Sequence, residues 1–116
     1  MAAPERILIV EDEPLIAMML EDLLDALDKR IAGNCDTVEA ALAQIARGGI
    51  DAAILDVNLR GGEKSWPVAD ALAAAGIPFL LATGGGGDTI ADAHRDRPVL
   101  TKPFTMDRVE AALAAL

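Results

Sequence analysis

The chain has 116 residues, 53% of them hydrophobic and 25% charged, with a net charge of −9. That length carries one core and one domain, residues 1–116, with no room for an output domain, and the composition is that of a folded chain. A negative balance without a basic patch excludes direct binding to nucleic acid or an anionic membrane, no apolar run is long enough to span a bilayer, and the single cysteine, Cys35, fits a reducing cytoplasm.

Residues 1–5 read as a tail, and residues 6–10 (Arg-Ile-Leu-Ile-Val) as a first buried strand. Pro14 suits the first turn of a helix, where its missing N–H costs nothing. Leu15, Ile16, Met19, Leu20, Leu23, Leu24 and Leu27 then recur at helical spacing and are expected to face the core. Residues 30–34 form a short strand by their position between helices. Asp36 followed by Glu39 resembles a capping box opening a helix to about residue 47, and Gly48-Gly49 stops it. Residues 52–57 are a third strand, 58–66 a loop, 67–75 an Ala-rich helix closed by Gly76, and 77–82 a fourth strand. Gly84 to Gly87 are four consecutive glycines, and residues 88–95 carry a weak helical pattern in which His94 is expected at the surface. Residues 99–101 are a fifth strand, and Thr105 can cap a last helix with apolar positions at Met106, Val109, Ala112, Leu113 and Leu116.

Strand and helix alternate five times, which implies a parallel sheet with right-handed crossovers. In such a sheet, ligands bind outside the carboxyl ends of the strands. Those ends carry Glu11-Asp12, Asp56, Thr83 and Lys102-Pro103. Three carboxylates, a hydroxyl and an ammonium in one crevice point to a divalent cation and a phosphoryl group. Asp56 is the candidate nucleophile, since a carboxylate can accept a phosphoryl group as an acyl phosphate. Glu11, Asp12 and Asp56 supply oxygen ligands of the kind Mg²⁺ takes, with the backbone carbonyl of Asn58 as a further donor. Thr83 and Lys102 can donate to phosphate oxygens, the positioning and charge compensation that phosphoryl transfer requires. The glycine run lacks the lysine and hydroxyl residue of a nucleotide-phosphate loop.

With Glu11-Asp12, Asp56, Thr83 and Lys102-Pro103 in order at strand ends, the chain resembles the receiver domain of two-component response regulators along nearly its whole length. The resemblance implies a flavodoxin-like (CheY-like) α/β fold, a five-stranded parallel sheet with helices on both faces. It implies that Asp56 is the phosphoacceptor, that Glu11 and Asp12 bind Mg²⁺, and that Thr83 and Lys102 contact the phosphoryl group. The donor would be a sensor histidine kinase or a histidine phosphotransfer protein, and the output a contact with a downstream protein. Such a chain takes part in its own phosphorylation and dephosphorylation but is not a turnover enzyme. Residues 78–85, Pro-Phe-Leu-Leu-Ala-Thr-Gly-Gly, also resemble the Phe-Ala-Thr-Gly motif of a receiver subfamily common in alphaproteobacteria, whose stand-alone members serve stress-response phosphorelays; Leu81 replaces the motif's phenylalanine.

Two rival classes are an Asp-dependent phosphohydrolase and a receiver-like interaction module that is never phosphorylated. The first wants a second acid near the nucleophile, and Asn58 cannot serve as one. The complete set of site residues argues against the second.

One departure from the family matters. Receivers usually carry Tyr or Phe three residues before the lysine, a ring that turns inward on activation. Here that position is Val99, and the chain has no tyrosine. The glycines at 84–87 and the weak pattern after them are the expected moving element instead, because four glycines carry a large ordering entropy. Amide exchange in residues 84–95 is accordingly expected to slow when a phosphoryl analogue binds; unchanged protection would contradict that expectation.

Overall fold

A computed structural model describes residues 6–57, 59, 63–83, 94, 96–101 and 104–116. Among them the order is β1 (Arg6–Val10), α1 (Pro14–Ala26), β2 (Arg30–Cys35), α2 (Val38–Arg47), β3 (Ala52–Asp56), α3 (Trp66–Ala74), β4 (Phe79–Thr83), β5 (Val99–Thr101) and α4 (Met106–Ala114). All four strand pairings are parallel, and the strand order is β2-β1-β3-β4-β5. This is the flavodoxin-like order, which reverses direction beside β1 and opens a crevice between β1 and β3 at their carboxyl ends.

The period of two along each strand divides the core. Leu8, Val10, Ala53, Leu55, Phe79 and Leu81 point to one face and pack with Ala41 of α2 and Val68, Ala69 and Leu72 of α3. Ile7, Ile9, Ala52, Ile54, Leu80 and Ala82 point to the other and pack with Leu20 and Leu24 of α1 and Val109 and Leu113 of α4. β3 and β4 are buried along their full length, as central strands covered on both faces must be.

Local chemistry sets several boundaries differently from the sequence expectation. The N-cap of α2 is Thr37, not Asp36: its hydroxyl accepts the Ala40 N–H at 3.1 Å. β4 begins at Phe79 rather than residue 77, because Ile77 is still tied back to α3 by its N–H on the Leu72 carbonyl (2.9 Å). On α1, Leu15 is 78% and Met18 54% exposed, so the apolar stripe meets the core only from Ile16 and Ala17 onward. β2 carries an irregularity opposite β1: Ile7 pairs with Ile31 but Leu8 with Gly33, leaving Ala32 over. Gln44 accommodates it by donating to the Ala32 carbonyl (3.2 Å), and its side chain sits so close to Gly33 that a Cβ there would lie 3.0 Å from Gln44 Cδ. The glycines at 84–87 and, of the helix expected at 88–95, every residue but His94 fall outside the described residues.

Replacing Thr37 by Ala removes the oxygen that satisfies the Ala40 N–H, so stability in urea unfolding is expected to fall by about 1 kcal/mol, whereas Thr37→Ser keeps most of it.

Candidate functional site

Glu11 and Asp12 leave the end of β1, between two neighbours. The Glu11 N–H donates to the Cys35 carbonyl of β2 (2.9 Å), which carries the ladder one residue past the strand and fixes where the side chain starts. Glu11 is 4% exposed, and its Oε2 accepts the Asp12 N–H at 3.0 Å. Asp56, the last residue of β3, is 6% exposed and pairs in register with Ala82 of β4. Glu11, Asp12 and Asp56 each offer a carboxylate oxygen, and these oxygens all lie within 4.8 Å of one another. The three carboxylates singled out from strand ends therefore converge.

Thr83, also 6% exposed, ends β4 one residue beyond the partner of Asp56. It pairs with Thr101 of β5, the residue before Lys102. Lys102 and Asn58 themselves lie outside the described residues.

The loop after Asp56 is held by groups that the motif does not include. The Val57 N–H donates to the Ala82 carbonyl (3.1 Å), and the Val57 carbonyl accepts both the N–H (3.2 Å) and the hydroxyl (3.3 Å) of Ser65, which is fully buried. Ser65 stands at the N-cap of α3 but spends its hydroxyl on Val57 rather than on the helix. Glu63 joins the same loop to α2: its carbonyl accepts the Leu59 N–H (2.7 Å) and its carboxylate the Val38 N–H (3.3 Å). Only the position of Ser65 before Trp66-Pro67 hinted at a cap; its tie to Val57 had no local signal.

From Glu11 and Asp12 an open groove of about 420 Å³ runs along α1 past Ala17, Met18 and Glu21, with Asn34 and Asp36 on its far side. Cys35, between Asn34 and Asp36, is a buried hydrophobe packed in the core on the α2 and α3 face; burial first, then the Asp36 carboxylate, push its thiol pKa up, against a smaller opposing effect of Arg47.

No family model matches the sequence. Among solved structures, the chain is 69% identical to SdrG of Sphingomonas melonis Fr1 over 99% of this chain and 98% of that one, with a TM-score of 0.90. Against the BeF3-activated conformation of SdrG the TM-score is 0.85 over the same coverage. The PhyR response regulator REC domain of Erythrobacter litoralis is 29% identical over 97% of this chain and 89% of that one, with a TM-score of 0.78. The chain belongs to the response regulator receiver family. A curated relative, the transcriptional regulatory protein AruR of Pseudomonas aeruginosa, is 31% identical over 88 residues, 72% of this chain and 36% of that protein. The receiver thus spans about a third of the length of that curated relative. Membership assigns this chain to signalling rather than to metabolic catalysis. Among the described residues, no helix is long and apolar enough to cross a membrane.

A buried thiol with a raised pKa holds little thiolate at pH 8, so alkylation of Cys35 in the folded receiver is expected to be more than tenfold slower than in urea; equal rates would contradict its placement.

Proposed function

We propose that this receiver accepts a phosphoryl group on Asp56 from a phosphohistidine of a sensor histidine kinase or histidine phosphotransfer protein, in a Mg²⁺-dependent reaction. The observation that carries this reading is the convergence of the Glu11, Asp12 and Asp56 oxygens within 4.8 Å at the carboxyl end of the sheet. Three hard oxygen donors at that spacing fit Mg²⁺, which takes a few carboxylates and keeps waters or phosphate oxygens in its other positions. Glu11, Asp12 and Asp56 would hold it, with the Asn58 carbonyl as a further donor. Bound there, Mg²⁺ supplies charge neutralisation for the phosphoryl oxygens.

An Asp56 carboxylate oxygen attacks phosphorus, the O–P bond forms, the P–N bond of the phosphohistidine breaks, and the imidazole leaves with the electron pair. The Thr83 hydroxyl donates to a phosphoryl oxygen and the Lys102 ammonium balances its charge, so the chain's own groups mainly position and stabilise.

The groove along α1 begins at Glu11 and Asp12, and the exposed Leu15 and Met18 give that side of the site an apolar rim. Exposed large apolar side chains beside a site favour a protein partner over a small donor alone, so the donor histidine approaches along α1. The reading as a regulator acting in the cytoplasm through a downstream protein rests on composition, the single cysteine included, and on the receiver resemblance. Its assignment to a stress-response phosphorelay rests on the resemblance of residues 78–85 to the Phe-Ala-Thr-Gly motif. The similarity to SdrG, for which a BeF3-activated conformation is known, supports a response to phosphoryl analogues.

Incubation with Mg²⁺ and a cognate kinase or small phosphodonor, followed by intact mass, is expected to show a gain of one phosphoryl group that is lost in Asp56→Asn and on chelation of Mg²⁺. A gain that survives Asp56→Asn would overturn the assignment.

A further inference from the structure

Contrary to the sequence expectation, His94 is buried, at 4% exposed. Its ring stacks on Trp66 with centroids 5.8 Å apart and an interplanar angle of 15°, and meets Phe79 edge-on at 5.6 Å. His94 Nε2 lies 2.9 Å from Asp70 Oδ1; the carboxylate accepts, so Nε2 carries the proton. Trp66 and Asp70 are one turn apart on α3, and together they grip one residue between β4 and β5. Arg97 adds a second hold: its N–H donates to the His94 carbonyl (3.2 Å), and its guanidinium lies 4.2 Å over the Phe79 ring.

This cluster is joined to the site from two sides. Trp66 follows Ser65, whose N–H and hydroxyl both donate to the carbonyl of Val57, the residue after Asp56. Phe79 opens the strand that Thr83 ends. His94 thus sits against α3 five residues before β5 begins. His94 Nδ1 is buried and has no hydrogen-bond partner among the described residues. An unpartnered buried acceptor costs free energy, which lowers the cost of leaving the arrangement described.

We propose that His94 is a positioning residue for the receiver's switch: its bond to Asp70 and its stack on Trp66 hold the chain that leads into β5 against α3, and binding of a phosphoryl group at Asp56 has to work against this hold. The inference rests on Asp56 being the phosphoacceptor. It gives a role to the ring contacts at Trp66 in a receiver that has Val99 where a switching aromatic ring is usual.

Trp66 is the chain's single tryptophan, so its fluorescence reports the His94 contact directly. The test titrates beryllofluoride, a phosphoryl mimic, at saturating Mg²⁺ into the parent, Asp70→Ala and His94→Phe. Asp70 is 71% exposed at its side chain and alanine suits a helix, so that variant keeps the fold; phenylalanine keeps the apolar ring contacts and removes both nitrogens. The midpoint is expected to fall by about fivefold in both variants, the scale of one lost hydrogen bond, while the midpoint for Mg²⁺ alone stays within twofold. A side chain that only packs would alter unfolding but not this ratio. Parent binding with unchanged or higher midpoints in both variants overturns the coupling alone. No beryllofluoride binding by the parent overturns the phosphoacceptor reading and the coupling with it.

Discussion

The parallel pairing of β1, β3 and β4 in a shared register is the constraint on which the site depends. Because Val10 pairs with Leu55 and Asp56 with Ala82, the three strands end within two residues of one another. Their terminal polar residues therefore open into one crevice without any long connection to bring them there. The result is three carboxylate oxygens held within 4.8 Å, an arrangement that like charges oppose and a divalent cation favours. Strands buried on both faces keep that geometry stiff, since a register slip of one residue would swap the side chains facing the two cores and spoil the packing of both.

Around this crevice, backbone hydrogen bonds link the ends of β1 and β3 to the rest of the fold. Ser65 and Ala82 both bond the backbone of Val57, and Cys35 bonds Glu11. The residue beside Asp56 is thereby joined to the start of α3, and the start of α3 to His94. Backbone and ring contacts thus run without a break from the residue after Asp56 to the surface formed by α3 and the chain before β5.

The architecture was largely legible because hydrophobic periodicity carries it. β1 and β5 fall at the expected residues, and Pro14, Gly48-Gly49 and Gly76 bound helices as their backbone preferences require. Gly48, Gly49 and Gly76 all have positive φ. The carboxylate cluster was legible because strand ends converge by topology, a property of the fold class rather than of any one contact. What the sequence hid depends on contacts between distant segments. Ile77 is apolar and continuous with β4, but its N–H belongs to α3. Leu15 and Met18 have the spacing or the chemistry of core residues, yet lie at the end of α1 that overhangs the site. Asp36 and Thr37 both suit an N-cap, and only the backbone geometry selects Thr37. His94 sits among polar residues in sequence, and nothing nearby foretells the Trp66, Phe79 and Asp70 that enclose it. The expectations for Asn58, Lys102 and the glycines at 84–87 concern residues outside those described.

The central claim is that the Glu11, Asp12 and Asp56 cluster is a cation site rather than a solvated acidic edge. Thermal unfolding across a Mg²⁺ series tests it most directly, since a ligand that binds only the folded chain raises stability by mass action. The account predicts a midpoint that climbs with each decade of Mg²⁺ in the parent and stays flat in Asp12→Asn. A flat response in the parent, or an equal climb in Asp12→Asn, would contradict it.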